Sequence, residues 1–108
     1  GVDELSGNPD WITLSPKRHF PPLERLLLEC NELKVIINER KDLLFAEEMA
    51  KRAIELRQKT NSRNMNDPLL FLQAGWENTI GHNLTYEYVK KEPHWRMSFQ
   101  SHKWLGVL

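Results

Sequence analysis

Four histidines and one cysteine carry the widest chemical repertoire in this chain, as metal ligands, acids and bases, or nucleophiles. His19, His82, His94 and His102 lack the close paired spacing of zinc ligands, and Cys30 has no second cysteine to join it. The pattern implies no metal site. One further combination has catalytic character. If residues 84–88 and 95–99 are the strands of a hairpin, Glu87, Arg96 and His102 share its polar face and supply an acid, a base and an anion clamp. A solvated sheet face accounts for the same residues, and no glycine-rich phosphate loop, nucleophile elbow or paired-carboxylate pattern accompanies them. The expectation is of a protein that is not an enzyme, with no cofactor and no small-molecule ligand. A small hydrolase or nuclease is the catalytic alternative.

A second constellation mixes cations with indoles: Lys90-Lys91-Glu92-Pro93-His94-Trp95-Arg96, followed by His102-Lys103-Trp104. Basic groups meet phosphates while aromatic rings stack on unpaired bases, so Lys90, Lys91, Arg96, Lys103 and Trp104 form a candidate RNA or single-strand site. Trp95 belongs to the core in this reading, beside Met97 and Phe99. Ser15-Pro16-Lys17-Arg18 has the form used by proline-directed kinases, which makes Ser15 a phosphorylation candidate. Asn83-Leu84-Thr85 is a formal glycosylation sequon that matters only in a secreted chain.

These side chains need elements to hold them. Gly7, Pro9, Pro16 and Pro21 interrupt residues 1–21, which read as an extended N-terminal arm that Trp11, Ile12 and Leu14 pin to the core. Residues 22–108 read as a single domain. From Leu23 to Asp67 there is neither glycine nor proline, and helix-forming residues dominate. Leu23, Leu26, Cys30, Leu33 and Ile37 step by three and four along one stripe, and a second stripe runs through Phe45, Met49, Ala53 and Leu56. Either a helical hairpin turns at Asn38–Asp42 or one long helix changes its buried face there. Asp67 and Pro68 then start a shorter third helix through Leu69, Leu72, Trp76 and Ile80, which Gly81 ends. Beyond it the period becomes two. Leu84, Tyr86 and Tyr88, then Trp95, Met97 and Phe99, predict a C-terminal β-hairpin. The fold class expected is mainly α (α+β).

Composition narrows the function classes. An apolar fraction of 40% and a charged fraction of 28% belong to a globular chain. Fifteen basic and fifteen acidic side chains cancel, which removes the global positive field of a protein that binds nucleic acid with its whole surface. No apolar run approaches the roughly 18 residues needed to cross a bilayer, and residues 1–4 lack a signal peptide's order. A lone cysteine suits a reducing intracellular setting, cytoplasmic or nuclear. Leu27, Ile36 and Leu43 fall outside the main leucine stripe and are the provisional anchors for a protein partner or a second copy of the chain. The reading at this level is a non-catalytic interaction domain or adaptor, with local nucleic-acid binding as its alternative.

Overall fold

Residues 32–37, Glu-Leu-Lys-Val-Ile-Ile, alternate half-buried and buried side chains, and that period of two makes them a strand. A computed structural model of the chain describes residues 4–6, 11–18, 24–60 and 66–98. In chain order the elements are β1 (Glu4–Ser6), β2 (Thr13–Ser15), α1 (Glu24–Glu29), β3 (Glu32–Ile37), α2 (Arg40–Thr60), β4 (Leu69–Ala74), α3 (Thr79–Lys91) and β5 (Arg96–Ser98). The five strands form one sheet in the order β1-β2-β3-β4-β5. β1 lies antiparallel to β2, and β2, β3, β4 and β5 are mutually parallel.

This is an α/β fold with a helix between successive parallel strands, not the mainly helical fold the spacing predicts. The stripe Leu26, Cys30, Leu33, Ile37 is divided among α1, the connection after it and β3, so neither the helical hairpin nor the single long helix forms. Leu33, Val35 and Ile37 also satisfy a period of two, and the β-branched run Val35-Ile36-Ile37 favours the strand. The expected third helix is β4, where Leu70 and Leu72 are buried in alternation. The expected hairpin is lost as well: residues 84–88 lie within α3, and β5 pairs in parallel with β4.

Local chemistry explains both longer helices. Asp42 reaches back from the first turn of α2, its Oδ2 accepting from the amides of Asn38 at 2.9 Å and Glu39 at 3.1 Å. Arg57 and Lys59 in the last turn oppose the negative end of the helix dipole. Asn78 caps α3, its Oδ1 accepting from Gly81 N at 2.7 Å. Gly81 permits the fit against the end of β3, because a Cβ there would stand 2.2 Å from the Ile37 carbonyl oxygen.

Residues paired in register share a face of the sheet. One face carries Leu14, Leu33, Val35, Ile37, Leu70 and Leu72, packed against Leu27 of α1 and Phe45, Ala46, Met49 and Ala53 of α2. Leu84, Tyr88 and Val89 of α3 close over the same cluster. The other face carries Thr13, Glu32, Lys34, Ile36, Leu69, Phe71, Gln73, Arg96 and Ser98, and its apolar members Ile36, Leu69 and Phe71 stand outside that core. Among the described residues, no helix is long and apolar enough to cross a membrane.

Candidate functional site

Parallel strands joined by helices bring all their C-terminal ends to one edge of the sheet, the edge where α/β folds place ligands. Ser15-Pro16-Lys17-Arg18, Asn38-Glu39, Gly75-Trp76-Glu77-Asn78 and Ser98 gather along it by topology. The side chains there brace one another. Arg18 pairs with Glu39 at 3.2 Å and Asp42 at 3.4 Å, tying the segment after β2 to the start of α2. Asn78 Nδ2 donates to Asn38 Oδ1 at 3.1 Å. Gly75 leaves room for that bridge, because a Cβ on it would stand 1.7 Å from Asn38 Oδ1. Glu77 holds a left-handed backbone with φ of 50°, and Trp76 beside it is 54% exposed.

The uncovered face of the sheet opens onto this edge. Strand register arranges it in rows. In the first row, nearest the N-terminal ends, Glu32 Oε2 accepts from Trp11 Nε1 at 3.0 Å and Thr13 Oγ1 at 3.1 Å, which commits that carboxylate. Lys34, Phe71 and Arg96 form the second row. Ile36, Gln73 and Ser98 form the third, at the C-terminal ends, where Ser98 Oγ donates to Gln73 Oε1 at 3.3 Å. An aromatic ring between two cations, with an amide and a hydroxyl above, suits a small polar ligand carrying negative charge.

Groups with displaced proton affinities lie elsewhere. Burial alone would raise the Glu47 carboxyl, but hydrogen bonds from Trp95, Tyr88 and His94 outweigh it and hold the group below its ordinary 4.5. Burial and the neighbouring Glu47 push the Tyr88 hydroxyl up. Burial pushes the Cys30 thiol up, tempered by Arg57, whose guanidinium donates to the Cys30 carbonyl. All of these groups serve the helix-covered side, where they join α2 to the entry of β5 and to the end of α1. Among the described residues, no group of three or more histidine, cysteine, aspartate or glutamate side chains is placed to hold a metal ion.

The residues singled out by sequence are dispersed. Leu27 and Leu43 lie in the core and Ile36 on the uncovered face, so the three share no surface. Lys90 and Lys91 are exposed at the end of α3, on the covered side of the sheet, whereas Arg96 lies on the uncovered face. Glu87, also on α3, is separated from Arg96 by the sheet. Lys103, Trp104, His19 and His102 lie outside the described residues. Ser15 ends β2, half-buried. Lys34, Phe71, Gln73 and Ser98 were not anticipated. The alternation Glu32-Leu33-Lys34-Val35 was the available signal, since it sets Lys34 opposite the core in a strand.

A 7-carboxy-7-deazaguanine synthase of Prochlorococcus marinus is 55% identical over 113 residues, matching all of this chain and 50% of the relative. Synthases of the same name from Synechocystis and Flavobacterium psychrophilum are 37% and 36% identical over 107 and 108 residues, each matching 99% of the chain and 46% of the relative. The chain therefore spans about half the length of the curated relatives it matches. No family model and no solved structure matches it. The relatives bear an enzyme's name and a small heterocyclic product. They correct the expectation of a non-catalytic adaptor, of a nucleic-acid module, and of a macromolecular rather than a small-molecule partner. They come from bacteria, which gives a nuclear location no support.

Proposed function

We propose that this chain forms about half of a 7-carboxy-7-deazaguanine synthase and supplies one wall of its ligand site. The observation that carries the reading is 55% identity with a synthase of that name along the whole of this chain. The architecture supports it. Four parallel strands present a polar, uncovered face and a braced C-terminal edge, a surface suited to a small heterocycle rather than to a flat macromolecular interface. On this wall the residues Lys34, Phe71, Gln73, Arg96 and Ser98 bind and orient the ligand, while Asn38, Gly75 and Asn78 hold the loops at its rim. The setting that goes with this role is the bacterial cytoplasm.

A chimera tests the proposal directly. This chain replaces the matching half of the Prochlorococcus marinus relative, and the product is put into a bacterial strain lacking its own 7-carboxy-7-deazaguanine synthase. Appearance of 7-carboxy-7-deazaguanine by mass spectrometry is expected. A chimera that accumulates as a folded protein yet yields none of it overturns the reading.

A further inference from the structure

β5 is a short strand held on one side. Its residues Arg96, Met97 and Ser98 pair with Phe71, Leu72 and Gln73 of β4, and no further strand flanks it among the described residues. A slip of one residue would turn Arg96 and Ser98 to the covered face, so this register needs an outside hold. The backbone bonds of the link before β5 are local: Glu92 N donates to the Tyr88 carbonyl at 2.8 Å and Trp95 N to the Glu92 carbonyl at 3.0 Å. They shape the turn without tying it to the rest of the protein. Glu47 of α2 supplies that tie. Its carboxylate accepts from Trp95 Nε1, lies 3.3 Å from His94 Nε2, and is hydrogen-bonded by Tyr88 near the end of α3. These three partners span residues 88–95, the whole connection from α3 to β5. Trp95 is 1% exposed, and the alternation of the strand sets it on the helix-covered side, opposite Arg96. One peptide bond thus separates the anchored indole from a cation of the uncovered face.

We infer that Glu47 is a positioning residue of the ligand wall: by holding Tyr88, His94 and Trp95 it fixes the register of β5, and with it the placement of Arg96 and Ser98 beside Phe71 and Gln73. The inference rests on the synthase reading for the ligand, and on the hydrogen bonds of one carboxylate for the way the hold is exerted. Glu47 itself never meets the ligand, because the sheet stands between them. Its effect passes through Trp95. A binding group tolerates a displacement of only about 0.5 Å before its geometry fails, and an indole released from Glu47 lets the start of β5 move by more than that.

Calorimetric titration of the same chimera with 7-carboxy-7-deazaguanine, at a temperature where melting shows each variant folded, tests this assignment. Glu47→Gln removes the charge and one of the two acceptor oxygens. Trp95→Phe keeps an aromatic ring in the core and removes only the indole N–H. Each should weaken binding on the order of tenfold, within the range of coupling between residues that act through one another. A double-mutant cycle with Arg96→Met separates positioning from stability alone. In the Arg96→Met background, adding Glu47→Gln should cost only about twofold, since the main group that Glu47 places is gone. A loss of equal size in both backgrounds would show that Glu47 acts by another route and overturn the inference. If the unsubstituted chimera neither binds the compound nor makes it, the synthase reading fails and takes this inference with it. A chimera that makes product, and whose affinity neither Glu47→Gln nor Trp95→Phe lowers, overturns this inference alone.

Discussion

The two faces of the parallel sheet are made from alternate residues of the same strands, yet they obey different physics. On the covered face Leu33, Val35 and Ile37 disappear beneath α2 and α3, with Leu14 and Leu70 paired on either side of Leu33. One residue away, Lys34 and Ile36 stand half-buried on a face that no described helix packs against. Burial of apolar area stabilises the first face in proportion to area and tolerates little change in shape. Charged and polar side chains mark the second, among them Lys34 and Arg96, which make no ion pair among the described residues. Stability and recognition are thus separated by the pleat of a single strand.

Neighbouring substitutions on β3 are the strongest way to break this comparison. Leu33→Ala removes a side chain with 0% exposure at the centre of the core, and it should destabilise the protein by about 2 to 5 kcal/mol through lost transfer energy and the cavity left behind. Urea melting measures the effect. A loss under about 0.5 kcal/mol would mean that the covered face is not the stabilising one.

A smaller effect belongs to Glu47, which ties α2 to Trp95 and His94 before β5. Its carboxyl is held below 4.5, so it contributes stability that is complete above the unfolded value and is lost as pH falls through the folded one. Melting temperature should therefore drop on acidification below about pH 4.5, and Trp95→Phe, which removes the indole N–H, should flatten that drop. An acid limb of unchanged steepness in Trp95→Phe would detach the pair from stability.

The smallest expected change sharpens the contrast most. Lys34→Ala, adjacent to Leu33, should alter stability by no more than about 0.5 kcal/mol, because the ammonium makes no ion pair among the described residues. A loss comparable with that of Leu33→Ala in the same urea series would make the uncovered face structural after all.

Parts of this arrangement are legible along the chain. The run through Phe45, Met49 and Ala53 is a helical stripe in sequence and is buried in α2. Residues 96–98 read as a strand and are one, although the predicted partner was wrong. Other segments satisfy two periods at once. Leu84, Tyr86 and Tyr88 alternate as a strand would, but Gly81, Leu84, Thr85 and Tyr88 step by three and four, and the Asn78 cap together with the close fit of Gly81 on Ile37 selects the helix. The candidate site was hidden for the same reason. Lys34, Gln73 and Ser98 are separated by 64 residues from first to last, and only strand register makes them neighbours.

What the sequence by itself determined is the apolar stripe Phe45, Met49 and Ala53 that α2 buries, the uninterrupted run of helix formers between Arg40 and Thr60, and the absence of a second cysteine for any internal disulfide. These follow from side-chain chemistry and local spacing, which act over a few residues. The tertiary structure alone decided which period each ambiguous segment adopts, that the strands run parallel, and that Lys34, Phe71, Gln73, Arg96 and Ser98 share one face. Those choices depend on pairing between segments far apart in the chain. A backbone hydrogen bond carries no record of which side chains flank it, so parallel register is set by the fit of helices over the sheet rather than by any residue read alone.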